Sequence, residues 1–228
     1  MNKDYAENLI AKTISDYNKI APLWSTKRWK LPDDVLRLEK YFKEGDRILD
    51  LGCGQGNLYE IARKHRVDYV GLDASAGQIE MARKRYPEAK YEVMNFGKIP
   101  YPDELFDRIF CLSTIHHIPP SESRDNFLAE ALRVLKKNGL LAISAWDLND
   151  PKLLAKYNSK DTEGLENGDL LVPFKDNAGV ELAKRYYHCF ERQEFQSMLE
   201  KAGFVVEELS VEKRGHSKFQ NFLAICTK

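Results

Sequence analysis

The stretch ILDLGCGQGN places an acid, Asp50, at the end of an apolar run and follows it with Gly52, Gly54 and Gly56. Glycines at that spacing permit backbone angles closed to other residues and let a ligand lie against bare backbone where a strand turns into a helix. A second acid, Asp73 in VGLDAS with Ala74 beside it, lies about twenty residues on. That is the distance from the end of a first strand to the end of a second, and a carboxylate there can accept both hydroxyls of a ribose. Together these residues specify an adenosine ligand in a crevice at the carboxyl ends of strands. The run is G-x-G-x-G and not the G-x-G-x-x-G of dinucleotide sites, whose pyrophosphate rests on a helix N-terminus. An acid before the glycines suits instead a ligand tail that carries an ammonium and a carboxylate.

Further candidates lie beyond the glycine run. FDRIFCLSTIHHI ends in Leu112, Ser113, His116 and His117. The two histidines are adjacent, with no H-x-x-x-H spacing, so they are not a helical metal pair. For His117 packing beneath the loop is the favoured reading, and for His116 packing and a role toward the acceptor both stay open. RYYHCF at 185–190 sets Arg185, Tyr186, Tyr187 and His188 directly before a helix. One cation with aromatic faces suits an anionic, planar substrate. The competing reading is a strand whose tyrosines and phenylalanine fill the core. Cys53, Cys111, Cys189 and Cys226 form no C-x-x-C pair, which supports neither a zinc site nor a redox motif. No metal is expected.

The elements that must position these groups alternate along the chain. From Tyr5 to Trp24 the apolar positions Leu9, Ile10, Thr13, Ile14, Tyr17, Ile20 and Ala21 recur at helical steps, and a basic segment, STKRWK, follows. Strand-like runs stand at 47–51, 69–73, 90–94, 106–112 and 139–146, with helical patterns at 57–65, 76–85 and 122–136 between them. This predicts right-handed βαβ units in an α/β fold with a parallel sheet. About forty residues without pattern follow Trp146, too many for an ordinary loop, and read as an insertion that builds a substrate site. A helix near 191–202 and two apolar stretches joined by KRGHSKFQ close the chain as an antiparallel hairpin. The expected organisation is one domain over 1–228, with a helical cap at 1–44 and an insertion at 147–188.

The chain has 35 Lys and Arg against 35 Asp and Glu, which argues against a surface coated in basic residues for non-specific nucleic-acid binding. No apolar stretch approaches the roughly 18 residues of a membrane span, so no membrane partner and a cytoplasmic location are expected.

The D-x-G-x-G-x-G run resembles motif I of the class I S-adenosylmethionine-dependent methyltransferases. The resemblance implies a Rossmann-like, seven-stranded, mostly parallel sheet with helices on both faces, an antiparallel C-terminal hairpin and S-adenosyl-L-methionine as cofactor. It places Asn95 and Phe96 of VMNFGKIPYP beside the adenine, although the family usually carries an acid where Asn95 stands. It turns Leu112 and Ser113 toward the methionine end. Across nearly the whole chain YNKIAPLWSTKRW, ILDLGCGQG, LSTIHHI, RVLKKNGLLAISAW, GDLLVPFK and KRYYHCF resemble the tRNA wobble-uridine 5-carboxymethyl O-methyltransferases, which include the methyltransferase domain fused to an AlkB homologue. RQEF at 192–195 departs from that family's glycine-containing run.

This resemblance implies methyl esterification of a 5-carboxymethyluridine in tRNA by in-line displacement. A carboxylate is already ionised at neutral pH, so positioning and removal of water suffice without a strong base. Tyr17 and Arg28 would border the methionine carboxylate, with Trp29 close by. Arg185 and Arg28 would orient the acceptor, Tyr186 or Tyr187 would stack on its base, and His116 would hydrogen-bond near it. Lys213, Arg214 and Lys218 would meet tRNA phosphates or simply form a solvated hairpin turn, and some members of the family depend on a small zinc-binding activator subunit. A small-molecule O- or N-methyltransferase and a non-catalytic S-adenosylmethionine-binding adaptor stay open beside it.

Overall fold

Alternating apolar runs and amphipathic helices assemble around one twisted sheet in a computed structural model that describes residues 1–25, 31–149, 154–155, 157, 163–213 and 220–228. The chain begins with Lys3–Ser25 (α1), which buries Leu9, Thr13, Ile20 and Ala21 at helical spacing. A short helix, Asp33–Leu36 (α2), runs into a 3-10 segment at Arg37–Tyr41. The α/β alternation then follows as Arg47–Leu51 (β1), Tyr59–Ala62 (α3), Asp68–Asp73 (β2), Ala76–Arg85 (α4), Lys90–Val93 (β3) and Phe106–Leu112 (β4). A 3-10 turn at Ile115–His117 leads to Ser121–Val134 (α5) and Leu135–Asp147 (β5).

The order across the sheet is β3-β2-β1-β4-β5, continued by Gln220–Thr227 (β9) and Val205–Lys213 (β8). The first five strands pair in parallel. β9 is antiparallel to both β5 and β8, so the closing hairpin joins through its second strand and leaves β8 at the edge. The sheet buries both faces, as a parallel sheet must. Leu49 and Leu51 pack on one side with Phe127 and Leu128 of α5 and with Phe195 and Leu199 of Arg192–Lys201 (α6). Ile48 and Phe110 pack on the other with Ile61, Ile79, Ala82 and Phe42. The change from one face to the other at successive strand residues is the period-two geometry that the apolar runs carry.

The segment expected as an insertion contains a separate two-stranded sheet, Asp169–Lys175 (β6) paired antiparallel with Glu181–His188 (β7). It packs on α1, where Lys12 Nζ donates to the Lys184 carbonyl at 3.0 Å. Ile20 meets Phe174 and Ala183 in the same layer. Residues 26–30, and with them Arg28 and Trp29, lie outside the described residues, as do Arg214 and Lys218.

Candidate active site

The crevice opens where the order of strands reverses between β1 and β4, the place at which loops from neighbouring parallel strands diverge. Gly52 leaves β1 at φ +82°, and a Cβ there would lie 2.1 Å from Thr114 Oγ1, so only glycine fits. Gly54 follows at φ +52°, and a Cβ there would meet nothing within 4 Å. That residue therefore presents bare backbone to the open crevice, which its own chain does not fill. Asp73, at the end of β2, holds this loop in place: its Oδ2 accepts from the Gly54 N–H and its Oδ1 from the Ser75 N–H, both at 2.8 Å. Burial pushes its carboxyl above the usual range, against the pull of those N–H groups. Ser75 then caps α4, its Oγ accepting from the Gln78 N–H and donating to Asn18 Oδ1. Asn18 so fastens α1 over the loop.

Asp50 is buried beneath the glycines and accepts from the Tyr69 hydroxyl at 2.6 Å. Burial raises its pKa to about 7, the Tyr69 hydrogen bond opposing and the neighbouring Asp73 charge adding to the rise. A carboxylate so desolvated gains most from a cation placed against it. The side chain of Gln78, also buried on the crevice wall, has neither amide atom hydrogen-bonded. Bare backbone, a carboxylate in want of a positive charge and an unmet amide suit a ligand that carries a ribose and an ammonium tail. S-Adenosyl-L-methionine is such a ligand.

At the far wall Ser113 sits at φ +56°, a conformation that a side chain tolerates only where its surroundings impose it. Its N–H donates to the Ser144 carbonyl and hydroxyl, and its Oγ accepts from Trp146 Nε1 at 3.2 Å. The Tyr17 hydroxyl lies 2.8 Å from His117 Nε2, and His117 Nδ1 lies 2.9 Å from the Tyr186 carbonyl. A carbonyl only accepts, so Nδ1 carries a proton, and Nε2 shares the second hydrogen bond with the Tyr17 hydroxyl. Burial, with Tyr187 adding to it, raises the Tyr17 pKa far above the ordinary phenol value. That hydroxyl stays protonated.

The crevice thus brings together Tyr17, Asp50, Gly52, Gly54, Asp73, Ala74, Phe96, Leu112 and Ser113 of the residues expected from the sequence. Asn95 is not among its walls: it is exposed, paired with Lys98 in a tight turn that carries Phe96 inward instead. His116 is fully buried and its Nδ1 accepts from the Trp146 N–H, so it supports β5, and His117 faces the crevice in its place. Tyr186 also turns away. The pleat of β7 sends Arg185 and Tyr187 to one face and Tyr186 and His188 to the other. The Tyr186 hydroxyl donates to Asp169 Oδ1 at 2.6 Å, while Tyr187 stacks on His116 at 5.3 Å between centroids. Arg185 lies behind the wall, its guanidinium over the rings of Phe174 and Tyr187 and within the electrostatic reach of Tyr17.

Trp146, Asn18, Gln78 and Asp34 were not singled out as site residues from the sequence. Trp146 is the last residue but one of β5, close to its carboxyl end as Asp73 is at that of β2, so its place was a usable signal; Asn18 had none. Among the described residues no group of three or more His, Cys, Asp or Glu could hold a metal ion, and no helix is long and apolar enough to cross a membrane.

Sheet order, glycine loop and paired strand-end acids together are those of a class I methyltransferase domain, and the crevice suits S-adenosyl-L-methionine as its cofactor. A methyltransferase-domain family model matches residues 49–143. The chain is 30% identical over 158 residues to the tRNA (carboxymethyluridine(34)-5-O)-methyltransferase of Saccharomyces cerevisiae, covering 69% of this chain and 54% of that one. It is 34% identical over 108 residues to the 27-O-demethylrifamycin SV methyltransferase of Amycolatopsis mediterranei, covering 44% of this chain and 39% of that one. The solved structure of a SAM-dependent methyltransferase from Methanosarcina mazei superposes with a TM-score of 0.73 at 25% identity, covering 84% of this chain and 96% of the other. The matches thus span between about two fifths and just over half of these two curated relatives' lengths.

Proposed function

We propose that the chain methylates the carboxylate of a 5-carboxymethyluridine at the wobble position of tRNA, forming a methyl ester. The observation that carries this reading is the similarity to the yeast tRNA (carboxymethyluridine(34)-5-O)-methyltransferase along 69% of the chain, which extends well beyond the glycine loop that all such domains share. When bound, S-adenosyl-L-methionine supplies an activated methyl group on a sulfonium. Asp73 would take the ribose hydroxyls and Asp50 the ammonium. Ser113, held in its strained conformation, and the Tyr17–His117 pair would shape the wall beside the methionine end. An ionised acceptor needs no base, so the chain's contribution is orientation and exclusion of water. Arg185 would act through Tyr17 and Tyr187 as a positioning residue, and Arg28 would orient the acceptor. tRNA is the partner this reading requires, a zinc-binding activator subunit is a further one, and the cytoplasm is the place for both.

The test is transfer of labelled methyl to tRNA that carries 5-carboxymethyluridine, followed by mild alkali. An ester releases its label as volatile methanol and returns 5-carboxymethyluridine to the nucleoside profile. Label that enters tRNA and survives alkali would overturn the ester.

One observation favours a second reading. Among the described residues the crevice walls include Asp34, Asp50 and Asp73 but no lysine or arginine, a lining that suits an uncharged small-molecule acceptor. Turnover on free metabolites with none on tRNA would select it.

A further inference from the structure

Asp34, on α2, is 5% exposed and lines the crevice. Its Oδ2 accepts from Asn221 Nδ2 at 2.6 Å. Its Oδ1 is buried and makes no hydrogen bond. The bond to Asn221 also settles the orientation of that amide, since a carboxylate can only accept and the nitrogen must face it. One carboxylate oxygen is therefore anchored and the other is held ready, inside a cavity wall, with nothing to receive. Buried polar groups are almost always paired, so an unpaired one on a cavity wall points to a ligand.

Its place along the sheet identifies which ligand. Asn221 stands on β9, opposite Trp146 of β5 and Glu212 of β8. β9 is four positions along the sheet from β2, the strand that ends in Asp73. At about 4.8 Å per strand this is roughly 19 Å. An adenosine moored at Asp73, with its amino-acid tail at Asp50 on β1, occupies the other half of the crevice. Asp34 thus belongs to the half left for the methyl acceptor. Trp146 lines the same half, its indole oriented by the hydrogen bond to Ser113, and adds an aromatic side chain to that wall.

We infer that Asp34, oriented by Asn221, selects the methyl acceptor by receiving a ring N–H through its free carboxylate oxygen. Resting on the wobble-uridine reading, that donor is the imide N3–H of the uracil, and the ring lies against Trp146. The carboxylate takes no proton and no bond changes at it; it discriminates among rings by their donors. A ring without an N–H leaves the oxygen unpaired, and a ring with an acceptor in that position meets repulsion.

The test uses the full chain loaded with S-adenosylhomocysteine and titrated with 5-carboxymethyluridine or its N3-methyl derivative, binding being read by calorimetry or ligand-observed magnetic resonance. The wild type should bind the N3–H nucleoside at least tenfold tighter. Asp34→Asn keeps an oxygen for Asn221 and replaces the free acceptor with a donor, so the preference should vanish while S-adenosylhomocysteine affinity and melting temperature stay near wild type. Equal binding of the two nucleosides to the wild type, binding of neither, or a preference that persists in Asp34→Asn overturns the assignment. If the variant does not fold, the wild-type comparison decides alone. Discrimination at Asp34 without methyl transfer to tRNA would remove the wobble reading and keep the residue's role; ester formation on tRNA without discrimination would do the reverse.

Discussion

Two regions of this molecule bury carboxylates beside aromatic rings, and they differ in what is left over. In the crevice Asp50 meets one phenol and Asp34 one amide, while Gln78 meets nothing. Under the second sheet, by contrast, Asp169 accepts from Tyr186, His188 and the Glu166 N–H. His188 reaches Glu194 through its other nitrogen at 2.8 Å, and Arg124 reaches Tyr186 and the Ile118 carbonyl. Burial pulls the His188 pKa down, but its bonds to Asp169 and Glu194 outweigh this and hold it above the ordinary value. A network whose members are satisfied by one another fixes a structure; a wall with unmet polar groups waits for a ligand. The difference separates two motifs that look equally functional in sequence. GDLLVPFK and half of RYYHCF lock the second sheet onto α5 and α6, whereas the glycine loop and Asp34 face open space.

The sharpest way to break this contrast is to open the closed network. His188→Ala takes from buried Asp169 and from Glu194 the ring that bridges them and should cost about 3–5 kcal/mol of stability, read from urea unfolding. Cofactor affinity of the folded fraction should hardly change. Loss of binding at unchanged stability would place His188 in the site instead. The wild-type contribution of His188 carries a sign: a raised histidine pKa stabilises fully below about 6.5 and the gain is lost as pH rises through the folded value.

Asp73→Ala reads the open region. It should weaken S-adenosylmethionine binding by about 1.5–3 kcal/mol with the fold retained, the scale of lost charge-assisted hydrogen bonds. Calorimetry that gives wild-type affinity in a folded variant would remove the ribose assignment.

Asp50 sharpens the same side through pH. Its carboxyl is raised from 3.8 to about 7, so the free protein binds the extra proton and this group's share of stability falls as pH rises between those values. A bound ammonium favours the ionised form. Cofactor affinity should therefore fall as pH drops below about 7, by at most about tenfold per unit, and Asp50→Asn should flatten that slope. A wild-type slope of zero between pH 5 and 7, in calorimetry at several values, would show that no cation meets Asp50.

The smallest effect is expected at the junction of the two regions. Tyr17→Phe removes the hydrogen bond to His117 and should cost about 1 kcal/mol of stability, measured by the shift of the denaturant midpoint.

Much of the scaffold was legible beforehand because its signals are local. The limits of β1 and β4 follow from their apolar runs, and α4 fills its predicted span. α3 covers only Tyr59–Ala62 of a pattern read as 57–65, since the glycine turn extends to Leu58 and bonds of the i+3 kind, Lys64 N–H to Ile61 and His65 N–H to Ala62, follow it. Asp50 and Asp73 were legible for the same reason: one βαβ unit carries both, and its internal distances determine which strand ends they occupy.

What the sequence by itself determined is therefore the α/β order, the glycine loop and the two acids beside it, all written within short spans by periodicity and backbone freedom. Only the tertiary structure decided which of His116 and His117 faces the crevice, which of Tyr186 and Tyr187 lies on that side of β7, and that Asp34 meets Asn221 across 187 positions. Adjacent residues of one chemistry carry the same local signal. Which one points inward depends on the elements packed against them, and those arrive from distant parts of the chain.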